Sequence, residues 1–526
     1  MKKIFSIIGL FSIILGQKDF VIPFDWAGQN GYIINNGKLF WNQSWTSGML
    51  LFDGTYSSYP MKFGSHTSKN FSSQTMEDIP AFSSLPDSTK NISYLDYYRG
   101  DYSYDQLELG ANFESKDEMV ELRGFKRSHG GNLGHYIHPA GGLSPIHHSY
   151  RVNYGVERNN IKYESSVARY ITRSGLPDST YNGSENDNII SAGLRFQQKL
   201  KNFTLDSYIG QFLQHRIIKH TTVNDSNYND INRSQFIFQL TSQRNFSFGI
   251  RYNAQQINLT NFNRLVNWTT LYGYKSYGKF SLLLGSQFLM PDKSNIFIWS
   301  INYKQNFGKV SIQVLSTKLS KPVHPDFYLK DDGNNFENWT NNKINASINI
   351  KNFVANSFFQ VSQQNIVGVE NVKAQFVGFD MKYSFNNNWN IYSNISTQLD
   401  TSYFGGGFGS IVNAGLNGQF NLFDNNMTIK PRIWVNAITG RIPSFGFDAI
   451  KYSPIINSNS DWVIKDHMLL HFELTTDISG VLIHYRINNL LNAFGATSDE
   501  AWVQNNHMYQ KLGRMIQFGV TWNFIN

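Results

Sequence analysis

From about residue 105 to its end, the sequence is a succession of segments of roughly ten residues in which apolar and polar side chains alternate, the length a tilted strand needs to cross a bilayer. Helical spacing does not recur over comparable lengths. Successive side chains of a strand point to opposite faces, so each segment has one greasy and one wet face. Phe246, Phe248, Ile250 and Tyr252 stand against Ser247, Gly249, Arg251 and Asn253. Phe297, Trp299, Ile301 and Tyr303 stand against Ile298, Ser300, Asn302 and Lys304. The last segment sets Ile516, Phe518, Val520, Trp522 and Phe524 against Gln517, Gly519, Thr521 and Asn523. In a soluble sheet the greasy face covers a core; in a membrane barrel it meets lipid while the wet face lines a lumen.

The connections favour lipid. Short ones, among them Ser115 to Glu118, Glu157 to Asn160, Lys199 to Phe203, Asn306 to Lys309 and Ser479 to Gly480, interleave with long ones. The long set is Ser128 to His148, Arg173 to Asp187, Ile218 to Ser234, Lys318 to Asn342, Asp400 to Ser410, Gly440 to Asp466 and Gly495 to Gly513. Tight periplasmic turns and extended outer loops give an outer-membrane barrel this rhythm, and a sandwich has no reason for it. About 21 segments follow Asp105. The first counted connection is short, so the first counted strand runs downward and an upward strand must precede it, placed first at Ile92 to Tyr98 and second at Met49 to Tyr56. The expectation is an all-β, transmembrane antiparallel β-barrel of about 22 strands, within roughly 18–24.

Composition agrees: aromatic residues are 15% of the 526, charged residues only 16%, and Cys is absent, which excludes disulfides and thiolate chemistry. Lys2 and Lys3, the apolar run Ile4 to Leu15, and Gly16 form a signal peptide over 1–16. No later apolar run is long enough for a transmembrane helix. Residues 17–91 alternate poorly and read as a periplasmic lead, a small plug or a first loop, with the barrel at 92–526. The expected location is the bacterial outer membrane, with its lipid and the barrel-insertion machinery as partners.

Arg486-Ile487-Asn488-Asn489-Leu490-Leu491-Asn492 resembles the penultimate-strand signature of TonB-dependent receptor barrels. Gly513-Arg514 is similar to the Gly-Arg that opens their last strand, and Phe524 stands where the terminal aromatic of the assembly signal is expected. The resemblance implies a ligand-receiving barrel served by an energy-coupling or plug partner. The approximately ninety residues before the barrel are fewer than a plug and a coupling segment together occupy. On that count the chain is closer to plugless, porin-like relatives, and coupled uptake does not carry over.

Several cations fall on the wet face: Arg151, Arg195, Arg251, Lys304, Lys382, Lys430, Arg432 and Arg486, with Asp380, Glu473 and Asp477 the clearest carboxylates. They line the lumen either as an anion-favouring surface or as members of ion pairs. The net charge of +8, or +6 without Lys2 and Lys3, has the same sign. Five of 13 His, namely His129, His135, His138, His147 and His148, lie in one outer connection. His135, His138, His147 and His148 are the candidate Zn or Cu ligands, and Asn/Asp-rich stretches at 224–230 and 330–335 are candidate Ca loops. No resident cofactor is otherwise expected, no nucleotide or hydrolase motif is present, and neither enzyme activity nor nucleic-acid binding is expected. The leading functional expectation is passive diffusion of small hydrophilic, anionic solutes. A receptor-like transporter binding a ligand or metal at its outer loops comes second, and a surface adhesion protein anchored by the barrel third.

Overall fold

The computed structural model describes residues 90–128, 146–175, 183–220, 227–244, 246–259, 262–322, 335–365, 372–399, 410–424, 426–440, 445–448, 453–456, 466–494 and 513–525, with short strands Phe20–Val21, Tyr32–Asn35 and Lys38–Trp41 before them. The expected signal peptide lies outside these residues. From Lys90–Gly100 to Met515–Ile525 the strands form one closed antiparallel barrel in which successive wall strands pair and the last pairs with the first; Phe445–Asp448 and Ser453–Ile456, between Met427–Thr439 and His467–Ile478, pair only with each other. Ser410–Gly418 and Phe420–Leu422 are one strand interrupted at Gln419, since both pair with Met427–Thr439; the wall thus has 22 strands, as the alternation predicts. The required extra upward strand is Lys90–Gly100, spanning the expected Ile92 to Tyr98.

Alternation is realised as an apolar exterior over a polar interior. Phe248, Leu265, Phe297 and Phe518 are each more than half exposed on the outer face, whereas their inward neighbours Ser247, Arg264 and Gln517 are buried. Among the described residues no helix is long and apolar enough to cross a membrane, and the wall itself is the crossing element. The last strand presents Phe518, Val520, Trp522 and Phe524 outward, and Met515 and Gln517 are buried inside. At the seam, the Thr521 hydroxyl donates to Asp96 at 2.6 Å, and Asp101 accepts from the Ile516 amide at 2.9 Å. Gly519 faces the Tyr98 ring across this seam, and any Cβ there would collide with it. The turn Ser479–Gly480 has φ of 52° and 86°, the doubly left-handed conformation that joins twisted strands in two residues.

Several strands outrun the bilayer. Phe203–His220 has 18 residues. At about 3.3 Å per residue and roughly 40° tilt it rises some 45 Å, half again the ~30 Å hydrocarbon thickness. The expected outer connections at Arg173 to Asp187, Ile218 to Ser234 and Lys318 to Asn342 are accordingly shorter than the sequence pattern indicates. Strands continue to Gly175, His220 and Pro322, and restart at Gly183, Asn227 and Phe336. The reason is physical: above the lipid the outward positions become polar, as at Asn188, His215 and Asp230, so apolar alternation stops while backbone pairing continues.

Candidate functional site

The inner wall falls into sectors. On the strands from Lys90–Gly100 to Phe203–His220 it carries charge in pairs. Tyr94 donates its hydroxyl to Glu108 at 2.7 Å, and Arg123 reaches Glu108 at 3.6 Å and Glu121 at 2.7 Å. Arg151, almost fully buried, meets the same Glu121 at 2.7 Å. Asn153 donates to Glu164 at 3.0 Å, and Asp206 takes Arg195 at 3.4 Å and Gln197 at 2.8 Å. A guanidinium withdrawn from water needs such partners, because desolvation otherwise costs several kcal/mol.

A second polar group lies at the closing seam. Arg486 binds Glu473 at 3.0 Å and sits 5.4 Å from the Tyr98 ring centre. His484 bridges Thr475 and Thr521 at 3.0 and 2.9 Å, linking Glu473's neighbourhood to Asp96. His471 stacks on Trp434 at 5.0 Å and contacts Asn488 and Asn436 at 3.2 and 3.3 Å. Arg432 lies over Trp434 at 4.5 Å and donates to the Tyr392 hydroxyl at 2.8 Å.

Between Phe262–Tyr277 and Phe353–Asn365 the inner wall is different. Val266, Trp268, Leu289, Ile298, Leu319 and Trp339 form one buried apolar cluster with Tyr272, Leu283, Phe336 and Phe358. Trp268 meets Phe336 edge-on at 6.1 Å, and the Trp339 indole donates to Glu337 at 2.5 Å. Arg251 marks the border, 4.9 Å from the Tyr272 ring centre.

All nine residues expected to line the lumen have inward register. Arg151, Arg195, Lys430 and Arg486 are paired with carboxylates, Lys430 with Asp477 at 3.6 Å. Arg251 and Arg432 lie over aromatic rings, and Lys304 and Lys382 are exposed near the periplasmic ends of their strands. Sequence reasoning missed Glu108, Glu121, Glu164 and Asp206, although their parity places them on the same face; the register of neighbouring strands was the missing signal. His148 is on the outward face, opposite Lys126 and edge-on to Tyr150 at 6.4 Å. His129, His135 and His138 lie outside the described residues, as does the His147 side chain, and so do the candidate Ca loops apart from Asn227 to Asp230 and Asn335. Among the described residues no group of three His, Cys, Asp or Glu side chains converges on one point.

The sequence matches no protein-family model and no curated protein. Solved structures do match. The FrpB iron transporter from Neisseria meningitidis superposes with a TM-score of 0.63 at 14% identity, covering 83% of this chain and 82% of its own. The ferric yersiniabactin uptake receptor FyuA from Yersinia pestis gives 0.59 at 11%, covering 84% and 81%. The ferric enterobactin receptor PfeA gives 0.65 at 9%, covering 98% and 96%. At these identities the likeness is one of fold. The wall resembles that of TonB-dependent receptor barrels, as Arg486 to Asn492 and Gly513-Arg514 suggest.

Proposed function

We propose that this chain is a receptor-type transporter of the bacterial outer membrane, which binds a metal ion or metal complex at its outer rim and passes it inward with energy from a coupling partner. The observation that carries this reading is the full burial of inward side chains at several places around the wall. A 22-stranded barrel is too wide for its own side chains to fill. Yet Arg216, Tyr208, Gln360, Gln287 and His471 are all at most 2% exposed, on strands well separated around the wall. An open diffusion channel would keep such side chains in water. The receptor-like reading, placed second from the sequence, thus displaces passive diffusion. The metal is supported by the iron transporter and the two ferric-complex receptors whose fold the wall shares, and by His129, His135 and His138 between Ser128 and Ile146.

Two measurements on the purified full chain test it. In a planar bilayer it is expected to be nearly silent, and in equilibrium dialysis it is expected to retain Zn(II), Cu(II) or a ferric chelate. A steady ohmic conductance without bound metal restores the passive channel.

A further inference from the structure

Arg216, Gln287 and Gln360 are shut away from solvent on the inner wall, but the wall opens on the strands from Val372–Ser384 to Met427–Thr439. There Tyr392, Arg432 and Trp434 are half-buried, and Lys382, two residues from the periplasmic end of its strand, is exposed. The floor is built around Gly415, the register partner of both Tyr392 and Trp434. A Cβ on Gly415 would stand 2.7 Å from the Trp434 Cβ and 2.8 Å from the Tyr392 hydroxyl, so glycine is what lets these two side chains close over it. Arg432 lies over both rings, 4.5 Å from the Trp434 centre and 5.5 Å from the Tyr392 centre. Its Nη2 donates to the Tyr392 hydroxyl at 2.8 Å, and His471 in turn stacks on Trp434 at 5.0 Å. The guanidinium is therefore held in place by its surroundings.

The carboxylates of this arc are engaged elsewhere. Asp380, two residues above Lys382, accepts from Asn356 at 2.6 Å, and Asp477 is met by Lys430 at 3.6 Å. Glu473 is the register partner of Arg432 but is held from its other side by Arg486 at 3.0 Å. Among the described residues neither Arg432 nor Lys382 makes an ion pair, and the buried Nε of Arg432 has no hydrogen-bond partner. A guanidinium lying on rings keeps its edge donors available, and an edge of two N–H groups matches two oxygens of a carboxylate or phosphate. Lys382 is the register partner of Tyr392, three strands from Arg432, or about 14 Å around the wall at the usual strand spacing. From opposite sides of that gap, on a concave face, two long cationic side chains can meet one group.

We infer that Arg432, with Tyr392 and Trp434 beneath it and Lys382 across the gap, binds one oxyanion, the carboxylate or phosphate group of a small solute, at the periplasmic end of the lumen. Three observations select this ligand. The two cations lack the carboxylates that Arg151, Arg195 and Arg486 have, the guanidinium is positioned by rings with donors to spare, and the side chains around it are open to solvent. Lys304, exposed three residues from the periplasmic end of its strand, shows the plain alternative of a solvated rim cation. The site belongs to the wall itself, so it does not rest on metal binding at the outer loops.

The test uses the full chain purified in a maltoside detergent, with labelled inorganic phosphate and labelled succinate as probes in equilibrium dialysis at constant ionic strength, and heat-modifiable gel mobility reporting a folded barrel. One anion per barrel is expected to be retained, and the probe held more tightly identifies the group. Arg432→Met, which keeps bulk over the rings, and Lys382→Met, an exposed change, should each lower retention by about tenfold or more through loss of a charge-assisted contact. Lys304→Met should leave it unchanged. Retention of neither probe overturns the inference, even where metal is bound. So does an equal loss in Lys304→Met, which reduces the site to diffuse attraction by the rim. Undiminished retention by folded Lys382→Met overturns it too, whether or not Arg432→Met assembles.

Discussion

The ion-paired sector around Glu121 and the apolar sector around Trp268 face one lumen from strands of the same construction, yet they are held by opposite means. At Glu121, two guanidinia converge on one carboxylate, and both Arg151 and Glu121 are under a tenth exposed. At Trp268, ten buried side chains exclude water from each other. An aqueous pore wall would need neither arrangement, because solvated charges need no partners and wet apolar side chains gain nothing by clustering. The contrast teaches that alternation separates inside from outside but is silent on whether the inside is wet.

The apolar sector should respond most to loss of volume. Trp268→Ala removes the largest buried side chain of its cluster and should destabilise the barrel by about 3–5 kcal/mol, by analogy with buried aromatic truncations. Urea unfolding from lipid vesicles reads this as a lower midpoint. A change below about 1 kcal/mol would mean that the sector is not packed, and the contrast with Glu121 would collapse.

The charged sector should respond to broken pairing rather than to lost volume. Glu121→Gln leaves Arg151 without its carboxylate and should cost about 3 kcal/mol. Adding Arg151→Met to that background should recover at least half, since the uncompensated cation has gone. If the double variant is instead as unstable as the sum of its parts, the sector is held by shape, as the apolar one is.

The outline of this wall was legible in the sequence because backbone geometry allows only two faces and lipid accepts only one kind of side chain. Strand number, the seam and the inward register of Arg151, Arg195 and Arg486 all follow from that restriction. The apolar sector did not follow. Ile298 alternates with Phe297 and Trp299 and so falls among the wet positions, but it is fully buried in the Trp268 cluster. Its neighbours there come from the adjacent strands on either side, and only the register between those strands brings them together. Charge misled for the same reason: Arg123 and Glu108 are 15 residues apart, and no local pattern reveals that they meet.

The border between the sectors offers a finer test. Arg251 is buried with its guanidinium over Tyr272, so Arg251→Met trades a cation–ring contact for an apolar side chain of similar length. The expected cost is about 1 kcal/mol, well below either sector's centre. A stabilising result would show that the apolar sector extends one strand further than the aromatic cluster indicates.

Outside both sectors, at the periplasmic rim, Arg158 meets Glu118 with their side chains 67% and 40% exposed. The chemistry is that of Glu121 and Arg151, and only the solvent differs. Water screens the attraction and takes over the hydrogen bonds of either partner, so Arg158→Ala should shift stability by less than about 0.5 kcal/mol. Measured beside Glu121→Gln under the same conditions, it isolates burial as the variable. Should the rim pair cost as much as the lumenal one, dryness would not be what distinguishes the inner wall, and the closed-lumen reading would lose its main physical support.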